Sequence, residues 1–401
     1  MMTDTELNAD GLDRRPESMF SRRALLRTAA RAGVAVSTMG VLACSSAAVP
    51  AAAPTTAAPA AAPTTAPASA APTTAQAAPT AAPATTGKQQ RFLVWATHVF
   101  YNQPALLGIP VGFRDYLDTL GWKFQIVAPR TSTDVQQTIA AQQQALQLHP
   151  DVIVATMTDK TSFNETLKAI VDAGIYLELN NTQPDDGNPF GAPYVGQSFF
   201  DAGIKAIATV LDVATAAGKK EGPVLFGYCC NNQGAVGTRT AGLKEGLTRY
   251  NAAKGTNFTQ SELLDASESN PASASGVWQA KLAQQADQLV GIVSDHVGNA
   301  EIDALIAMGK QPGFIPIVTF DVTAERLDHT EKGWFTAIVD QQPYAQGFIP
   351  AAQAFMWLEG RTQPVLTYDT GSTFITKDRV KDVRAQTDYI TRRAGELGLQ
   401  V

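Results

Sequence analysis

Short polar clusters recur along residues 89–401, each at the end of an apolar run: Thr97-His98, 156–159, 180–182, 229–232, Asp295-His296, Asp321 and 340–342. They are rich in Asp, Asn, Gln and His, and Arg239 stands in a segment between them. Such side chains can each bond two neighbouring polar groups at once, and a charged partner strengthens each bond. The chemistry they serve is recognition by hydrogen bonds. Signals for covalent chemistry are missing. The loop after the first apolar run, Thr97-His98-Val99-Phe100-Tyr101, has no glycine, so the dinucleotide fingerprint is absent. No Walker A sequence, G-x-S-x-G elbow in a plausible triad order or H-E-x-x-H occurs. The histidines (98, 149, 296 and 329) are too scattered for a metal site, and no cofactor is expected. Carboxylates are plentiful, but nothing in the sequence pairs them for hydrolysis.

The elements that must position these clusters follow from periodicity. Continuous apolar runs predict strands near 92–97, 123–127, 151–156, 175–179, 223–228, 290–294, 315–320 and 336–339. Amphipathic stretches between them predict helices near 104–120, 134–147, 161–173, 198–217, 235–252, 273–288, 299–309 and 344–359. Buried strands alternating with helices indicate α/β architecture with parallel sheets covered on both faces. Right-handed crossovers then put ligand sites at the carboxyl ends of the strands, where the polar clusters fall. A break in the pattern near 195–198 suggests two lobes, the second running to about Gln341 before the chain returns to the first.

The first 88 residues carry an address. Ser21-Arg22-Arg23 precedes a weakly apolar run over 32–43 that is too short for a bilayer span, which needs about 20 apolar residues. Residues 1–43 therefore read as an export signal, either of the twin-arginine (Tat) type or an ordinary Sec signal. Ala43-Cys44 resembles a lipoprotein cleavage box, with Cys44 as the acylated new N-terminus. Residues 45–88 hold almost only Ala, Ser, Thr, Pro, Val and Gln, which cannot bury enough apolar surface to offset ordering. Recurrent proline makes this stretch a semi-rigid tether of at most ~3.1 Å per residue. Without residues 1–43 the chain carries 25 basic and 32 acidic residues and no basic stripe, which argues against nucleic acid as a partner.

Four stretches together resemble the type I periplasmic sugar-binding proteins, the ribose/galactose-type substrate-binding components of ABC importers. They are Asp172-Ala173-Gly174-Ile175 leading to Asn180-Asn181, Tyr194-Val195-Gly196-Gln197 with Ala202-Gly203, Arg239 three residues before Gly242, and Asp340-Gln341-Gln342-Pro343-Tyr344. The resemblance implies two doubly wound parallel-sheet lobes joined by a multi-strand hinge: 89–196 plus about 342–370, and 197–341 plus about 371–401. It implies capture of a monosaccharide or polyol between closing lobes, by a monomer on the extracytoplasmic side that delivers to an ABC permease. A sensory binder signalling to a membrane kinase or chemoreceptor is the alternative. By position, Arg239, Asp321 and Gln341 correspond to ligand residues. Asn180 stands where ribose binders carry an aspartate. Asp295 or His296 supplies a further contact, and His98 and Phe100 end the first strand. Asp159 is either a ligand residue or a helix cap. Cys229-Cys230 form either a vicinal disulfide in the oxidising exported compartment or two reduced thiols.

Overall fold

In chain order, β1 (Phe92–Ala96), α1 (Gly108–Leu120), β2 (Lys123–Val127), α2 (Val135–Gln147), β3 (Val152–Ala155), α3 (Asn164–Asp172), β4 (Tyr176–Asn181) and β5 (Tyr194–Gly196) come first. Then follow α4 (Phe199–Ala216), β6 (Glu221–Tyr228), α5 (Gly234–Lys254), β7 (Asn257–Asp265), α6 (Pro271–Gln285), β8 (Gly291–Asp295), α7 (Ala300–Ala307), β9 (Ile317–Phe320), α8 (Ala324–Lys332) and β10 (Ala337–Asp340). The chain ends with α9 (Pro343–Leu358), β11 (Thr367–Asp369), β12 (Thr373–Ile375) and α10 (Val380–Glu396). These elements are those of a computed structural model, which describes residues 90–98, 103–129, 134–159, 161–182, 190–228, 234–265, 271–295 and 299–399. All of them belong to the compact body of residues 83–401.

The strands form two six-stranded sheets, ordered β11-β5-β4-β3-β1-β2 and β12-β10-β9-β8-β6-β7. Every pairing is parallel except that of β12 on β10. Each sheet is buried on both faces, as the continuous apolar runs require. In β1, Val94 and Ala96 enter the layer under α2 and α3, while Leu93 and Trp95 enter the layer under α1 and α9. The second sheet packs under α4 and α5 on one side and under α6 and α7 on the other.

Among the described residues the chain passes between the sheets after β5, after β10 and between β11 and β12. This is the two-lobe α/β fold with a multi-strand hinge. Elements without a long apolar run, β5, β7, β11, β12, α8 and α10, were not among those predicted. Residues 371–401 were expected in the second lobe, yet α10 lies on both. Val380 and Val383 pack with Leu327, Ile338 and Ile375 of the second lobe, whereas Ala394 packs with Leu107 and Val111 of the first. Arg384 pairs with Asp328 at 2.8 Å on α8, and Arg393 with Asp115 at 2.8 Å and Asp118 at 2.9 Å on α1. Among the described residues no helix is long and apolar enough to cross a membrane.

Candidate functional site

Helix α5 lies backbone to backbone on α4. A methyl group at Gly203 would run into the Arg239 carbonyl, and one at Gly242 into the Phe200 carbonyl. The glycines that marked this motif in the sequence thus set the depth from which Arg239 extends. Arg239 is no surface residue, being 5 % exposed. Its guanidinium lies between the rings of Phe199 and Phe320, 4.4 and 4.1 Å from their centroids, where cation–π attraction holds it. Nη1 donates to Asp295 Oδ1 at 2.6 Å and Nη2 to Gln197 Oε1 at 3.0 Å. Nε is buried with no partner among the described residues. A guanidinium has five N–H groups, so this one is fixed in place with donors to spare.

A second group gathers at the hinge. Gln341 donates from Nε2 to Asp321 Oδ1 at 2.6 Å and accepts at Oε1 from Asn181 Nδ2 at 3.1 Å. Asp321 does not cap α8. Thr323 does so, accepting from the Arg326 amide at 3.2 Å. Buried Arg326 instead fixes the turn by donating to the carbonyls of Phe320 and, at 3.1 Å, Asp321. Asn181, Asp321 and Gln342 all adopt left-handed backbone, with φ of 63°, 70° and 57°. Such conformations cost energy in non-glycine residues and persist where surrounding bonds enforce them. Neighbouring Asp340 is pushed up to about 6, first by burial and also by the Asp321 carboxylate, although it accepts from the Gln342 amide.

The first lobe contributes neutral groups. The His98 amide donates to Thr156 Oγ1 at 2.9 Å, and the ring Nδ1 lies 3.1 Å from the same oxygen. Burial pushes this imidazole down to about 4, so at neutral pH it offers one donor and one acceptor. Asn180 departs from expectation. It accepts from Trp95 Nε1 at 3.1 Å and donates to the Gln346 carbonyl at 3.1 Å. The two-residue period of β4 explains this. Asn180 shares a face with Tyr176 and Glu178, against α9, where Tyr176 and Gln353 both donate to the Glu178 carboxyl. Asn181, where the backbone turns left-handed, donates to Gln346 Oε1 at 2.8 Å and is the residue that reaches Gln341. Asp159 serves as a turn cap, accepting from the Thr161 and Ser162 amides at 2.9 and 2.8 Å.

The structure therefore joins Arg239 to Asp295, and Asp321 to Gln341, while His98 sits on Thr156 and Asn180 turns inward. Phe100, His296, Cys44, Cys229 and Cys230 lie outside the described residues. Among the described residues no cluster suits a metal ion. Sequence reasoning missed Asn181, Gln197, Phe199, Phe320 and Gln346 as working residues. Gln197 and Asn181 lay inside the recognised stretches, but nothing there distinguished a hinge bond from a ligand contact. The rings around Arg239 come from two separate elements, which no sequence spacing links.

A family model described as periplasmic binding protein domain matches residues 98–362. The xylose/arabinose-binding protein XylF of Sulfolobus acidocaldarius is 30% identical over 94 residues, covering 23% of this chain and 23% of that protein. The chain thus matches under a quarter of that relative's length. The structure of a carbohydrate transporter from Acidothermus cellulolyticus in complex with myo-inositol superposes with a TM-score of 0.63 at 21% identity, covering 75% of this chain and 99% of that one. A periplasmic solute-binding protein from Actinobacillus succinogenes with bound D-allose gives 0.64 at 14% identity, covering 73% and 100%. At such identities the likeness is one of fold.

Proposed function

Because this chain belongs to the periplasmic binding protein domain family, we propose that it captures a monosaccharide or related polyol outside the cytoplasm for an ABC importer. The observation that carries this reading is Arg239: buried, clamped by Asp295, Gln197 and two rings, yet with its Nε–H unpartnered among the described residues. A preorganised charged donor in a carboxyl-end cleft suits adjacent ring hydroxyls, which accept two such bonds at once. Asp321 and Gln341 join it from the second lobe and hinge, with His98, Phe100 and Asp295 as further contacts. Asn180 supports them from inside the first lobe. Residues 89–196 with 342–370 form one lobe and 197–341 with 371–379 the other, α10 being shared. Rotation about the three crossings closes the lobes, buries the hydroxyls and creates the surface that a permease reads. No covalent step is needed.

In the same reading, residues 1–43 direct export, Cys44 carries the lipid anchor, and 45–88 hold the monomeric body near its permease. Cys229-Cys230 then either close a vicinal disulfide after export or stay two reduced thiols. Counting free thiols by mass spectrometry decides between them, since two free thiols in native protein rule out the disulfide. The main test is a thermal-shift screen against pentoses, hexoses, inositols and linear polyols. A sugar or polyol should raise the melting temperature of the wild type and leave Arg239→Ala unmoved. A variant that responds as the wild type does would remove Arg239 from the site.

A further inference from the structure

Gln197 lies on the first crossing, between β5 and Ser198, the N-cap of α4, and is 2 % exposed. Its two amide groups face different parts of the molecule. Oε1 accepts from Arg239 Nη2 at 3.0 Å. Nε2 donates to the Gly371 carbonyl at 3.1 Å and to Ser372 Oγ at 3.3 Å, both on the third crossing. The crossings are also joined directly, since the Thr370 amide donates to the Gly196 carbonyl at 2.9 Å. The other restraints on the guanidinium, Asp295, Phe199 and Phe320, all belong to the second lobe. An amide is planar, so its acceptor and donor ends turn as one unit. A guanidinium that shifts and pulls on Oε1 therefore displaces Nε2 from Gly371.

We propose that Gln197 is a positioning residue that couples Arg239 to the third crossing, so that ligand engaging the arginine acts on the hinge through this one amide. The proposal deepens the reading of Arg239 as a ligand group. The coupling itself needs no ligand, so it stands or falls separately from sugar binding.

Hydrogen–deuterium exchange on the ligand-free full chain tests it, with residues 366–375 as the reporter and residues 92–96 as the control for global opening. Gln197→Met should speed exchange in the reporter about tenfold, the effect of losing bonds of this strength. Arg239→Met has no direct bond to the crossing, yet should speed the reporter severalfold with the control unchanged. The double variant should be no faster than Gln197→Met alone, because both act along one path. Gln197→Glu keeps an acceptor for Arg239 but has no donor for Gly371, and should match the Met variant. Should Arg239→Met not fold, Arg239→Lys keeps the charge opposite Asp295 without reaching both partners and serves in its place. A reporter left at the wild-type rate by the Arg239 variant would overturn the coupling. So would effects that multiply in the double variant, or wild-type protection in Gln197→Glu.

Discussion

The two lobes share a sheet plan but meet the cleft with different chemistry. In the second lobe the strand ends carry charge: Arg239 paired with Asp295, and Asp321 held by Gln341. In the first, His98 on Thr156 and Asn180 beneath Gln346 are neutral, and the carboxylate of Asp159 is taken up as a turn cap. At the opposite, amino ends of the first lobe's strands Arg91 pairs with Asp151 and Glu359. Each lobe also joins two helices through glycine: α4 to α5 at Gly203 and Gly242, and α1 to α9 at Gly112 and Gly347. Only the first of these helix pairs carries a buried cleft arginine. The difference teaches that similar packing devices can serve unlike ends. One positions a charge, and the other only closes a lobe.

The largest expected effect separates the lobes. Arg239→Ala should weaken sugar binding about a thousandfold or more by calorimetry, since it removes the charged donor and its buried ion pair with Asp295. Equal loss from a first-lobe His98 substitution would break the distinction. His98 should show its effect in pH dependence instead. An unfolded histidine takes up a proton below about 6.5, whereas folded His98 refuses it until about 4. Stability from this group is present above 6.5 and lost as pH falls towards 4, about 3 kcal/mol in all. Asp340, raised to about 6 chiefly by burial, has the opposite sign and costs stability as pH rises through 6. His98→Gln should therefore flatten the acid limb of the melting-temperature profile relative to wild type, and an unchanged limb would contradict a neutral buried imidazole.

The glycine contacts sharpen the same contrast. Gly203→Ala and Gly112→Ala should each cost about 2 kcal/mol in urea unfolding, because a methyl group must force two helices apart. Only Gly203→Ala should also weaken binding, since it displaces Arg239. The smallest effect belongs to the helix that spans both lobes. Arg393→Ala should cost about 1 kcal/mol at low salt, discounted because the pair is partly exposed, with the gap shrinking as salt rises. It should also speed ligand release in stopped flow, by loosening α10 from Asp115.

Buried strands were legible because both faces need apolar residues, so β1, β3, β8 and β9 announce themselves in the sequence. Edge strands were not. The side chains of β11 are exposed, and β5 has three residues. Helix α8 is charged along most of its length, and its signals were the flanking Thr323 cap and Gly333, with φ 87°. Of the candidate site residues, Arg239 lies against Asp295 and Asp321 against Gln341, groupings their positions at strand ends and hinge left open. Asn180 was misplaced because Trp95 and the Gln346 carbonyl engage both ends of its amide inside the lobe, partners that no sequence spacing links to it. Gln197 escaped because its partners lie on α5 and on the third crossing, far away in sequence.

Small-angle X-ray scattering of the full chain, with and without the sugar or polyol that gives the largest thermal shift, probes whether capture closes the lobes. The radius of gyration should fall on saturation in the wild type and stay constant in Arg239→Ala. Saturable binding with no compaction of the wild type would contradict closure about the hinge.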